Sequence, residues 1–377
     1  MARIHKIVLL CFMFITAKLL LPAAAIDQKL GVASPDGKTA WYDCKLLTVE
    51  GKGWTNTAAD YDRLPASAKS YAPPAVWDLS HDSAGICVRF KTDSTSIEVR
   101  WTLRKSGLAM SHMPATGVSG TDLYERNATG QWRFVGNGRP AGVSNSASFF
   151  GLTAGRENIL YLPLYNGIKS IEIGIPVDKT ITTPKPSHRD QHKPIVFYGT
   201  SITQGGCASR PGLAATAIIG REMDVPVINL GFSGSGKMEP EMADLLAELD
   251  PSIYVLDCLW NMNPISMVTE RVDPFVRKLR KAHPATPILL VEDSIFKNIT
   301  PTDKGRALRL VYDKLIKDGI GGLYFLSNAG MLGDDFEGTV DGCHPNDLGM
   351  TRQAAVFIKS LTPILTALEQ QRTDNAP

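Results

Sequence analysis

The sequence predicts two joined domains, an all-β sandwich of jelly-roll type followed by a three-layer α/β domain built on a parallel sheet. Three observations predict it. Short runs that alternate apolar and polar residues fill the first half, and continuous apolar runs separated by helix-period segments fill the second. An aperiodic stretch rich in proline and charge divides them. The 377 residues also exceed what one ordinary core organises.

Residues 1–25 have the layout of a secretory signal: a basic start "MARIHK", an apolar run Ile7–Ala17, and an A-x-A pattern at Ala23–Ala25. Cleavage near Ala25 and export, to periplasm or exterior, are expected. Lys18 cuts the apolar run short of the roughly 20 residues a membrane span requires. No other stretch reads as a span, so no stable membrane insertion is expected. Losing this segment removes Arg3, Lys6 and Lys18 and leaves 37 basic against 38 acidic residues. Nothing in that balance favours nucleic acid or an anionic membrane surface, which would need a concentrated basic face, and no nucleic-acid partner is expected. The remaining cysteines, Cys44, Cys87, Cys207, Cys258 and Cys343, are odd in number and show no C-x-x-C or Cys/His spacing. Neither a disulfide framework nor a metal site is expected.

Residues 27–185 should form the sandwich. "SAGICVRFKT", "SIEVRWTLR", "GQWRFVG", "ILYLPLY" and "SIEIGIP" are β-rich runs punctuated by turn residues, with no helical period of useful length between them. "VDKTITTPKPSHRDQHKP", residues 177–194, is the expected seam. Residues 190–370 then change grammar. "IVFYG", "VINLG", "IYVLD", "ILLVED" and "LYFLS" read as buried parallel strands, with helices near 211–222, 239–249, 266–283, 301–318 and 348–366. Ligands bind such sheets at the carboxyl ends of the strands, so chemistry is sought there.

The first strand ends in "YGTSITQGG", which puts Ser201 on a tight strand-to-helix turn, as a nucleophile or as a helix cap. The second ends in "GFSGSGK", Gly231–Lys237, which lacks only the last place of a phosphate-cradling P-loop. Met238 stands where that motif needs a magnesium-ligating hydroxyl, and an exported protein meets little nucleotide, so no nucleotide partner is expected. The third ends in "DCLWNMNP", offering Asn261 or Asn263, and the fourth in Glu292 and Asp293, read as structural acids. Further on, "DGCH" sets Asp341 three residues before His344, a spacing at which a carboxylate can orient an imidazole.

Together and in this order, the four blocks resemble those of the SGNH (GDSL-like) hydrolases, in the branch of exported esterases that carry an N-terminal β-sandwich. The resemblance spans about residues 194–366 and continues into "SHMPATGVSGTDLY" and "YLPLYNG". It implies a flavodoxin-like catalytic domain and a triad of Ser201, His344 and Asp341. It also implies an oxyanion hole from the N–H groups of Ser201 and Gly234 and the Asn261 amide. No cofactor or metal is called for, and the implied substrate is an O-acyl, first an O-acetyl, carbohydrate ester. The sequence departs from the family pattern at Thr200, Leu259 and Met262, which keeps Asn263 open as a substitute for Asn261. His112, Asp122 and Tyr124, with Trp132 and Tyr165, are sandwich residues available for substrate binding or for packing. Cys207 and Cys343 flank the blocks as a bridge or as free thiols, and Asn127 and Asn298 match the glycosylation sequon. The competing functions are a lysophospholipase or thioesterase on the same fold and a non-catalytic glycan-binding protein, the latter distinguished by lacking a reactive serine.

Overall fold

The computed structural model describes residues 26–185, 188–295 and 301–374. The signal segment and Asn298 lie outside the described residues.

Eight principal strands build the first half: β1 (Thr39–Asp43), β2 (Cys87–Thr92), β3 (Ser96–Leu103), β4 (Thr121–Arg126), β5 (Trp132–Gly138), β6 (Ser144–Phe150), β7 (Glu157–Tyr161) and β8 (Ile168–Pro176). They pair antiparallel as β1-β8-β3-β6 and β2-β7-β4-β5, the interleaved order of a double-sheet jelly roll. Alternation in β3 shows the cause: Ile97, Val99, Trp101 and Leu103 enter the core, while Ser96, Glu98, Arg100 and Thr102 face outward. On that outer face Arg100 and Glu172, directly opposite across β3 and β8, form a bidentate pair at 2.6 and 2.9 Å.

Two features depart from the sequence reading. A helix, Pro74–Ser80, occupies a region in which no helical period stands out; at seven residues it is too short to display one. With its approach segment it leaves the sandwich. Trp54, Leu64, Ala68, Ala72 and Val76 share a core with Leu245, Leu246 and Leu249 of the second half, and the Trp54 indole donates to Glu248 at 2.8 Å. The seam, in turn, is not a free linker. Ile181 and Thr182 pair with the edge of β2, and the buried Arg189 bonds Glu50 and the Gly220 carbonyl.

The second half holds five parallel strands, β9 (Ile195–Gly199), β10 (Val227–Gly231), β11 (Ile253–Asp257), β12 (Ile288–Val291) and β13 (Leu323–Leu326), in the order β10-β9-β11-β12-β13. This is the flavodoxin-like order, with its switch point beside β9. Strand residues alternate between two cores. Val196, Tyr198, Ile228 and Leu230 meet the helices Pro240–Ala247, Ser266–Ala282 and Asp303–Lys317. Ile195, Phe197, Val227 and Val255 meet Ala215–Glu222 and Asp347–Asp374, together with Ile159 and Tyr161 of the sandwich. Because both faces are buried, these strands read as continuous apolar runs.

Candidate active site

The carboxyl end of β9 turns sharply at Thr200 into the short helix Ser201–Gln204, which Gly205 closes at φ 105°. Thr200, standing where the family pattern has Asp, caps this helix by accepting the Ile202 N–H at 3.2 Å. Ser201 is buried, and its Oγ lies 2.9 Å from His344 Nε2. His344 Nδ1 lies 2.8 Å from Asp341 Oδ2, while Asp341 Oδ1 accepts the backbone N–H groups of His344 (2.7 Å) and Cys343 (2.9 Å). The turn forms because Gly342 takes φ 84°, closing a loop immediately before the helix at Asp347. Burial opposes ionisation of Asp341, but those two N–H groups and the imidazole outweigh it and hold the carboxyl below its ordinary range. The carboxylate therefore stays charged and fixes the Nδ1–H tautomer, leaving Nε2 to accept the serine proton.

The glycine loop after β10 lies against this turn. Gly236, at φ 68°, approaches so closely that a Cβ would sit 1.9 Å from the Gly199 carbonyl oxygen; the position admits only glycine. Gly234 has the same φ, but a Cβ there would meet nothing within 4 Å, so it faces open space. Among the described residues, neither its N–H nor that of Ser201 donates to a protein acceptor. Met238 is buried in the core behind the loop, and the next helix starts only at Pro240, so the loop does not feed a helix N-terminus as a phosphate cradle does.

Asn261 closes the third side. Its Nδ2 donates to the Ser235 carbonyl at 2.6 Å, which spends one amide hydrogen and points the group at the glycine loop. Leu259 and Met262, the two departures from the family pattern in this block, are buried in the core and thereby fix the phase of this 3₁₀ turn. Asn263 is exposed, and its amide reaches only the Trp260 carbonyl at 3.4 Å. Glu292 accepts the Asn328 N–H and Asp293 the Thr302 hydroxyl, as structural acids do.

From the sandwich, the structure brings one of the three residues in question to this rim. His112 is exposed, with its ring centroid 5.5 Å from that of His344. Asp122 and Tyr124 are buried instead, and Arg210 and Gly212 of the second half occupy them. Asp122 Oδ2 accepts from Arg210 and from the Gly212 N–H, both at 2.8 Å, and the Tyr124 hydroxyl accepts from Arg210 at 2.6 Å. They clamp the two halves together. Trp132 packs under Arg126, whereas the Tyr165 hydroxyl donates to the Ser201 carbonyl at 3.1 Å.

Cys207 and Cys343 are free thiols, both pushed up to about 12 by burial and by the nearby Asp341. Among the described residues, two donor groups could hold a metal ion, His112–Cys207–His344 and Asp341–Cys343–His344. Each takes His344, whose ring nitrogens already serve Ser201 and Asp341, so either would compete with those hydrogen bonds.

With this geometry in place, likeness to known proteins is informative. Residues 192–362 match the GDSL-like Lipase/Acylhydrolase family, and residues 39–181 match the GxDLY family, the N-terminus of Esterase_SGNH_hydro-type proteins. A putative GDSL-like lipase from Bacteroides ovatus ATCC 8483 is 34% identical, covers 87% of this chain and 98% of its own, and superposes with a TM-score of 0.79. The chain belongs to the GDSL-like lipase/acylhydrolase family. As a member of it, the protein is an ester hydrolase. Two more distant structures share the fold of this GDSL-like hydrolase. The salicylyl-acyltransferase SsfX3 from a tetracycline biosynthetic pathway is 18% identical, covers 92% of this chain and 98% of its own, and has a TM-score of 0.66. A family two carbohydrate esterase from Cellvibrio japonicus is 15% identical, covers 76% and 90%, and has a TM-score of 0.55. No curated protein matches the chain. The GxDLY residues of this GDSL-like hydrolase, Gly120–Tyr124, include both clamp residues Asp122 and Tyr124, which gives that motif a physical role. Among its described residues, no helix is long and apolar enough to cross a membrane.

Proposed function

We propose that this GDSL-like hydrolase removes acyl groups, acetyl first among them, from carbohydrate esters, using Ser201, His344 and Asp341 as its triad. The observation that carries the reading is the hydrogen-bonded chain Ser201–His344–Asp341 at the carboxyl rim of a parallel sheet, beside a glycine loop with an N–H uncommitted among the described residues. His344 Nε2 takes the Ser201 proton as Oγ bonds to the ester carbonyl carbon. The oxyanion meets the N–H groups of Ser201 and Gly234 and the second amide hydrogen of Asn261. Collapse breaks the C–O bond, His344 returns the proton to the departing alcohol, and the acyl group stays on Ser201. Water, deprotonated by His344, then bonds to the acyl carbon, and the Oγ–C bond breaks as His344 returns that proton to Ser201, releasing the acid. Every proton moves between these residues, substrate and water, so these steps require no metal or cofactor.

Likeness in fold to a carbohydrate esterase and the exposed His112 beside His344 support the carbohydrate class. The signal-like segment supports export, with a mature chain divided into a sandwich at 27–185 and a catalytic domain at 190–370. Acetate release should be assayed across acetylated polysaccharides and oligosaccharides, with lysophospholipids and acyl thioesters alongside. Turnover confined to the lipid or thioester would sink the carbohydrate reading.

The oxyanion assignment is tested separately. Asn261→Ala should lower kcat by about 10²–10³-fold with little change in KM, because the donor meets charge that exists in the transition state. Asn263→Ala should stay near wild type. The reverse ranking would move the donor to Asn263.

A further inference from the structure

Gln204 is fully buried three residues after the nucleophile, and all of its side-chain bonds leave its own helix. Its Nε2 donates to Asp82 Oδ2 at 3.3 Å and to the Leu164 carbonyl at 3.1 Å, both on the sandwich side, and its Oε1 accepts the Ser233 N–H at 2.9 Å. The two acceptors dictate which way the amide lies, since only the nitrogen can serve them. The oxygen is thereby aimed at the glycine loop. Asp82 is itself fixed. Its Oδ1 takes Lys105 Nζ at 2.5 Å, and its carbonyl takes Arg63 Nε at 2.8 Å. Arg63 also donates to the Gly231 carbonyl at 2.6 Å, where β10 enters the loop. Gly231 permits the arrangement, because a Cβ there would lie 2.1 Å from the Gln204 backbone nitrogen.

We propose that Gln204 is a positioning residue, through which Asp82 of the sandwich sets the peptide N–H of Gly234 for the transition state. The Gln204 bond to the Ser233 N–H fixes the Phe232–Ser233 peptide plane, and the Phe232 carbonyl of that plane accepts the Ser235 N–H at 3.0 Å, closing a turn around the Ser233–Gly234 peptide. The Gly234 N–H inside that turn, which has no acceptor among the described residues, is thereby held for the oxyanion without rotation during reaction. A sandwich residue thus acts on catalysis from behind the loop and touches no substrate. This rests on the reading of Gly234 as an oxyanion donor.

The test compares Gln204→Met with wild type and with Asn261→Ala in the full chain. Steady-state kinetics on a small activated acetyl ester are read beside the dissociation constant of a small alkylboronic acid. That acid bonds Ser201 Oγ through boron to give a tetrahedral oxyanion mimic. Gln204→Met should lower kcat by about 10–100-fold, the cost of a misplaced group, with KM within about twofold. Boronate affinity should fall by the same factor as kcat. A purely structural role would lower the melting temperature and the active fraction and leave boronate affinity per active site unchanged; that result overturns the proposal. A rise in KM alone also overturns it. Loss in Asn261→Ala without loss in Gln204→Met rejects Gln204 and keeps the oxyanion reading, whereas loss in neither rejects both. Should Gln204→Met not fold, Asp82→Asn probes the same linkage from the sandwich. It should lower kcat and boronate affinity together, by a smaller factor, and equal values to wild type overturn the proposal.

Discussion

Replacing Ser201 with alanine is expected to lower kcat by on the order of 10⁶-fold, the scale of losing a triad nucleophile. The side chain makes one hydrogen bond, to His344, whose side chain is 21% exposed, so water can take the vacated place and little stability is lost. The fold-independent part of the expectation is therefore clean. Thermal melts should overlay those of wild type, while hydrolysis of an activated acetyl ester and labelling by a fluorophosphonate both vanish. Wild-type hydrolysis by the folded variant would remove the nucleophile from Ser201, and with it the acyl-enzyme.

Asp341→Asn is expected to cost about 10⁴-fold in kcat without disturbing the site's shape. The argument lies in how the carboxylate is held. Oδ1 accepts the N–H groups of Cys343 and His344, and an amide nitrogen cannot replace it there. The asparagine oxygen must therefore keep that place, which puts its NH₂ where Oδ2 faced His344 Nδ1. Nδ1 then becomes an acceptor, the proton moves to Nε2, and the ring can no longer accept the Ser201 proton. A crystal structure of the variant should superpose on the parent while kcat collapses. Retained activity would reduce Asp341 to a turn former.

Much of this was legible in the residues, and the reasons for the rest are physical. Buried parallel strands announce themselves as continuous apolar runs, so β9 to β13 and the helices between them stand out. In the sandwich, β6 reads "SNSASFF", with only Ala147 and Phe149 directed into the core, an alternation too shallow to mark a strand. Order and spacing suffice to single out Ser201, Asp341 and His344 as candidates that the fold brings together, because local turns place each at a strand end or helix start. Spacing cannot choose between Asn261 and Asn263, which lie two residues apart. What turns Asn261 toward the glycine loop and leaves Asn263 exposed is the burial of Leu259 and Met262, a tertiary fact. Asp122 and Tyr124 illustrate the opposite limit. A polar or aromatic side chain reads as a sugar contact until Arg210, 88 positions from Asp122, is seen to occupy it.

The segment Trp54–Val76 has a consequence for folding itself. It departs from the jelly roll to complete the core under Leu245 and Leu249, while Arg63 ties down β10. Neither half therefore closes its own interior. A cut placed at the seam would strand Trp54, Leu64 and Val76 in water on one fragment and leave their empty sockets on the other. During synthesis the first half must wait, with this surface uncovered, until the residues near 245 have emerged. The two halves are therefore expected to unfold in a single calorimetric transition, and two separate transitions would restore the boundary visible in the grammar of the sequence.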